Sequence, residues 1–171
     1  MAYAVPSSYL LDKQILQDLD ASSATQAGHD LGFSSDTKDG RRFMYVHLDP
    51  GSIAGSAGYP IWFYASIGTG ADYRYNVSSD YSDIEGNADI IGGHFAGVSC
   101  VAPSASAQYI WIQTKGFCNA SVSTAVVAKD TLKANQDYLL ETYDPATEAS
   151  SHLVAIALEA DASGFADIII L

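Results

Sequence analysis

Phe95–Thr114 (FAGVSCVAPSASAQYIWIQT) decides how this chain folds. The apolar run Phe95–Val101 gives way to the small-residue stretch Ala102–Ala107, and a second run, Tyr109–Thr114, follows. Two β-rich runs around a short polar or small-residue loop are the pattern of a β-hairpin. The order returns at the C-terminus as Leu153–Leu158, Glu159–Gly164 and Ala166–Leu171. Repeated hairpins are ordinary in all-β folds, so the echo is weak evidence of duplication. Outward from these two units, further strands are expected at Phe43–Leu48, Tyr59–Ser66, Val122–Val127 and Tyr138–Thr142. Tyr73, Tyr75 and Val77 alternate with Arg74, Asn76 and Ser78, as a half-buried strand does. Pro60 stands near the start of its run, where a strand tolerates one. Gly, Ser, Asp and Pro punctuate the runs, and no helical pattern separates them, which argues against a parallel α/β sheet. The expectation is an all-β protein, an antiparallel β-sandwich or small barrel, with an N-terminal arm carrying a short helix. Ile168-Ile169-Ile170-Leu171 is too apolar for an exposed edge and is expected as a central or closing strand.

The arm is residues 1–40, and the β domain is residues 41–171. Ser7 or Ser8 can cap a helix. Leu11, Ile15 and Leu19 then fall on one face, with Tyr9, Leu10 and Leu16 beside them. Ala21–Gly28 reads as a loop or linker. A lone amphipathic helix of about a dozen residues is marginal in water, so this one must pack on its own domain or on a partner.

Of 171 residues, 48% are hydrophobic and 16% charged, which excludes intrinsic disorder. The net charge of −12 leaves no basic footprint for nucleic acid and disfavours an anionic membrane surface. No apolar run is long enough for a transmembrane helix. Met1–Leu11 has no basic region ahead of a long apolar stretch, so no secretory signal is expected. Cys100 and Cys118 form no metal or redox motif and read as buried free thiols. The sequons at Asn76 and Asn119 then read as chance matches.

Site chemistry is sparse. Gly68-Thr69-Gly70 lacks the third glycine of a dinucleotide loop, and Gly51–Gly58 lacks the Lys-Ser/Thr of a phosphate loop. There is no nucleophile elbow. His29, His47, His94 and His152 are mutually distant in sequence and form no local zinc motif. In Asp80–Asp89, an EF-hand frame set on Gly86 puts Tyr81 and Gly92 where acidic ligands belong, so a solvated turn is expected. Trp62 and Trp111 lie inside apolar runs and are expected in the core. No catalytic residue, metal or cofactor is expected, and the chain is not read as an enzyme.

Tyr75–Asp83 (YNVSSDYSD), Gly93–Pro103 (GHFAGVSCVAP) and Gln108–Gly116 (QYIWIQTKG) together resemble the capsid decoration and small head proteins of tailed bacteriophages. There a strand with an AGV segment is followed by a strand like YxWIQxxG. Val127–Leu132 is similar to a following stretch that usually holds a Gly-Asp turn, although this chain has Lys129-Asp130. His152–Glu159 (HLVAIALE) and Asp167–Leu171 resemble the close of the family pattern. The similarity runs over roughly residues 40–171 and is one of strand patterns, not of an invariant signature. It implies a cement protein on the outer surface of the mature head, with the major capsid protein as partner. A homo-oligomer is implied, a trimer favoured, in contact with neither nucleic acid nor membrane. The arm is then expected to order on the capsid or on a neighbouring protomer through Tyr9, Leu10, Leu11, Ile15, Leu16 and Leu19. The alternative is a head-fibre, tail or glycan-binding virion protein using surface Tyr and Trp.

Overall fold

The computed structural model of the chain describes residues 30–48, 57–63, 75–78, 95–102, 109–134, 139–144, 146 and 153–171. Ten strands run through them: β1 Ser34–Asp36, β2 Arg42–Leu48, β3 Pro60–Phe63, β4 Asn76–Ser78, β5 Phe95–Ser99, β6 Tyr109–Ser121, β7 Thr131–Ala134, β8 Leu140–Thr142, β9 Leu153–Ala157 and β10 Phe165–Ile170. No α-helix occurs among the described residues. The fold is all-β and built on a small closed barrel.

Five strands close the barrel, in the order β2-β4-β3-β5-β6 and back to β2. Every pair in the ring is antiparallel except β2 and β4, which run parallel. Closure removes the free edges that make open sheets prone to association. The barrel is filled by Val46, Leu48, Ile61, Val77, Ala96, Val101, Ile110 and Ile112.

β6 is 13 residues long and serves two sheets. Its first half pairs with β2 and β5, and its second half with β10. Beyond β10 follow β9, β7 and β8. β8 curls back to the end of β6 through a parallel bridge between Val122 and Leu140. This curled second sheet encloses smaller side chains, among them Ala120, Val126, Leu132, Leu140, Ala155, Ala157, Ala166 and Ile168.

The two expected hairpins are both present, as β5–β6 and β9–β10. The second one tightens: Ala162 and Phe165 bridge around Ser163 and Gly164, whose φ values are 60° and 86°. Paired positive φ values suit the right-handed twist of a two-residue hairpin. β10 lies between β6 and β9, a central strand as expected from its apolar run. Val122–Val127 is not a strand. Val126 N–H donates to Ser123 C=O, and the segment turns, burying Val122 and Val126 as plugs in the second core. The missing strand is β7, in the stretch after that turn. β1, within the segment assigned to the arm, pairs with β2. The Tyr9–Leu19 segment and the Asp80–Asp89 stretch lie outside the described residues.

Candidate functional site

The seam between the two sheets is where the recognisable sequence motifs converge. β6 crosses it, and a bulge opposite Arg42 and Phe43 marks the crossing. Ile112 points into the barrel core, while Trp111 is buried on the opposite side under Phe33. Gln113 is buried, and its amide Nε2 donates to the carbonyls of Lys115 (3.0 Å) and Phe117 (2.7 Å). One side chain thus satisfies two backbone acceptors where the ladder is interrupted, which the backbone cannot do for itself. Gly116, with φ 88°, turns the strand beside Gly40 and Arg41, and an added Cβ would sit 3.0 Å from Gly40 O. Each named position of the YxWIQxxG pattern therefore has an architectural role. The AGV segment behaves alike. Gly97 has φ 154°, and a Cβ there would stand 2.4 Å from the backbone oxygen of Gln113. Only glycine lets β5 approach β6 this closely.

Beside the seam lies an open cavity of about 360 Å³, lined by Arg41, Phe43, Val98, Gln113 and Cys118 among others. Its polar groups are engaged: Arg41 Nε donates to Asp39 Oδ2 at 2.7 Å, and Gln113 braces the strand. Cys100 and Cys118 are half-buried thiols, not joined in a disulfide. Burial, with Asp167 nearby, pushes the Cys118 thiol up to about 12, so it is no nucleophile at neutral pH.

A ladder of aromatic rings runs along the outer side of β2 and β6. Phe33 meets Trp111 edge-on at 6.2 Å, Tyr45 lies 5.2 Å from Trp111, and Tyr109 stacks on Tyr45 at 6.1 Å. His47 continues it 4.7 Å from Tyr109, with Nδ1 3.2 Å from Asn76 Oδ1. Such a row could seat a sugar only if its faces were open. Tyr45 and Trp111 are 3% and 1% exposed, so they are core. Trp62 is buried as expected.

The second sheet differs on its outer side. Phe117 on β6 pairs with Ile169 on β10, which pairs with Ile156 on β9. Phe117 is 52% exposed, Ile169 39% and Leu171 58%, and Leu153 and Leu158 are also exposed. Leu158 N–H donates to Asp167 C=O and Leu171 N–H to Val154 C=O, so both leucines belong to the same strand array. Leu153 and Leu171 line one shallow cavity with Phe95 and Ala96. This apolar face is the most conspicuous surface feature among the described residues, and it was not singled out from sequence. Four consecutive apolar residues, Ile168–Leu171, conceal that alternate ones face outward.

Of the candidate residues, His29, His94, His152 and the arm positions Tyr9, Leu10, Leu11, Ile15, Leu16 and Leu19 lie outside the described residues. Among the described residues no three His, Cys, Asp or Glu side chains converge at metal-binding distance. The sequon asparagines are structural neighbours of charged or aromatic groups, Asn119 Nδ2 donating to Asp167 Oδ1 at 3.0 Å. No family model matches the chain, and no curated protein is significantly similar to it.

Proposed function

We propose that this chain is a capsid decoration protein of a tailed bacteriophage, which binds the outer surface of the mature head and bridges major capsid subunits as a homo-oligomer, a trimer being favoured. One observation carries the reading beyond strand patterns. Lys129 stands where the resemblance expects the glycine of a Gly-Asp turn, and its φ is 78°. That left-handed conformation is the one glycine adopts without cost. The next residue, Asp130, accepts from Val127 N–H at 3.0 Å and from the Thr142 hydroxyl at 2.7 Å, pinning the turn as an Asp there should. A substitution at the family's glycine thus falls on a backbone that still has a glycine's shape.

In this reading the motif residues serve architecture, and function lies in surface area. A packaged genome pushes the shell outward, and protein laid across subunit boundaries raises the cost of opening them. A ligand that binds only the expanded shell stabilises that state by mass action. A net charge of −12 suits an exposed outer position better than one against DNA. The reading makes the chain a structural protein without catalytic chemistry.

The test is sedimentation of purified protein with expanded heads that lack it. Saturable binding at a fixed ratio to the major capsid protein, poor binding to unexpanded proheads and a gain in heat resistance are expected. No binding to expanded heads overturns the proposal.

A further inference from the structure

We propose that the apolar outer face of β6, β10 and β9 pairs two copies of this chain, face to face, with their strands running in opposite directions. The inference rests on this face alone and not on the capsid reading, and it puts a two-fold pair in place of the trimer favoured there.

Three observations select a second copy. The first is the layout of the face. Phe117, Ile169 and Ile156 form one row across three strands. Leu158 flanks the row on the Asp167 side, and Leu171, bonded to Val154, flanks it on the other with Leu153. The second is area. The exposed parts of Phe117, Ile169, Leu171, Leu153 and Leu158 together present on the order of 400 Å². Protein interfaces are only about 57% apolar, so such a patch is the apolar part of roughly 700 Å². That is close to the ~800 Å² per partner that a stable interface buries.

The third is charge, which is opposite at the two ends of the face. Beyond Leu171 the turn between β1 and β2 lies against β6: a Cβ on Gly116 would stand 3.0 Å from Gly40 O and 3.1 Å from Arg41 Cα. The turn brings Lys38, Arg41 and Arg42 to the end of the face where Lys115 stands, and Arg42 is in register with Lys115. The carboxylates there are Asp39 on Arg41 and Asp36 on Arg42, so positive charge is in excess. The other end is acidic. Asp167 accepts from Asn119 Nδ2 at 3.0 Å, Glu159 Oε1 accepts from Asp167 N–H at 3.2 Å, and Asp161 Oδ1 accepts from Gly164 N–H at 2.6 Å. Asp130 lies in the adjoining turn with Lys129, whose N–H donates to Ala157 C=O.

The two ends are about 14 Å apart, four residues at ~3.4 Å each. A two-fold axis across the strands, through the Phe117–Ile169 row, lays Phe117 on the partner's Phe117. It sets each basic end over the partner's acidic end, so the same match is made twice, as in any isologous contact. Pairing with the strands parallel brings like charges together, which costs affinity. The face is thus complementary to itself in one orientation, and this singles out a second copy among apolar partners. The net charge of −12 repels copies at long range, and salt at about 0.15 M screens that repulsion beyond ~8 Å while acting much less on buried pairs.

The experiment is sedimentation equilibrium of the full chain at about 0.15 M salt. Twice the chain mass, falling toward the monomer on dilution, is expected. Lys115→Asp and Asp167→Lys each place like charges together at both ends of the contact and should weaken pairing at least about tenfold. The two reversals combined should restore it. Phe117→Ser, on the axis and at an exposed position, should weaken it by a similar factor of about ten. Circular dichroism shows which variants are folded, and Lys115→Asp and Phe117→Ser, both at exposed positions, keep the test open if Asp167→Lys folds poorly. A monomer at every concentration, or a trimer, overturns the proposal. So does a pair indifferent to Lys115→Asp and Phe117→Ser, or one that the folded double reversal fails to restore.

Discussion

The outer sides of the two sheets are finished differently. On the barrel, the aromatic side chains that β2 and β6 turn outward are roofed: Leu31 and Phe33, just before β1, pack on Phe43, Tyr45 and Trp111. On the second sheet, Phe117, Ile169 and Leu171 are between 39% and 58% exposed. The interiors differ in the same sense. The second core is rich in alanine, with Ala120, Ala155, Ala157 and Ala166 all buried, so its sheet curls tightly around little volume. Phe117 and Ile169 on its outer side have no comparable roof among the described residues. The barrel obtains one from the segment leading into β1.

The comparison breaks first at the point where the barrel closes. Gly97→Ala forces a Cβ to within 2.4 Å of Gln113 O on a backbone at φ 154°. Overpacking and strain of this kind cost about 3 kcal/mol or more together. Urea unfolding should show that loss, or soluble protein should not be recovered. A midpoint unchanged from wild type would mean that β5 and β6 are not held this close.

The seam should fail less completely. Gln113→Ala removes the donor to two carbonyls, at Lys115 and Phe117, in a buried position. The expected loss is about 2 kcal/mol, from unsatisfied buried acceptors and a small cavity. Because β6 is common to both sheets, one cooperative transition should persist in calorimetry. Separation into two transitions would show that the sheets are independent units joined by a passive strand.

The second sheet offers a change in the opposite direction. Lys129 adopts φ 78° in a turn whose N–H donates to Ala157 C=O. Lys129→Gly relieves the left-handed strain and should stabilise the fold by roughly 1 kcal/mol in chemical denaturation, less what glycine adds to the unfolded chain's entropy. Destabilisation would show that the turn owes its shape to the lysine side chain rather than to the hydrogen bonds of Asp130.

These positions also show what sequence could and could not reveal. Most of the strands were legible as short β-rich runs, such as Tyr109–Thr114, punctuated by Gly, Ser, Asp and Pro. Closure of the ring was not, because the β2–β6 and parallel β2–β4 pairings join residues far apart in the chain. Val122–Val127 has strand composition, yet its valines fill the end of a core from a turn. β7 is four residues long with Lys133 in it, and that lysine meets Glu141 across the sheet at 2.8 Å. β1 is Ser-Ser-Asp, without any β-forming residue, and it is a strand through its backbone pairing with β2. The apolar outer face was hidden for a different reason: in an unbroken run of apolar residues, burial parity depends on neighbours that sequence does not show.

The smallest expected effect lies at β1, the edge that carries the barrel's roof. Asp36 accepts from Arg42 Nε at 2.6 Å and Nη2 at 3.0 Å, and this hydrogen-bonded pairing lowers its carboxyl below the ordinary 3.8. A depressed carboxyl pKa means that the unfolded state takes up the proton first as pH falls. The contribution of the pair is therefore fully present above pH 3.8 and is lost as pH drops through the lower folded value. Both groups are exposed, so the effect is small and screened by salt. Asp36→Asn should lower the melting temperature slightly at pH 7 in dilute buffer. The gap to wild type should close below pH 3.8, and also at high salt. A gap that persisted under acid would locate the role of Asp36 in the geometry of β1 rather than in its charge, and the roof over Trp111 would then depend on backbone pairing alone.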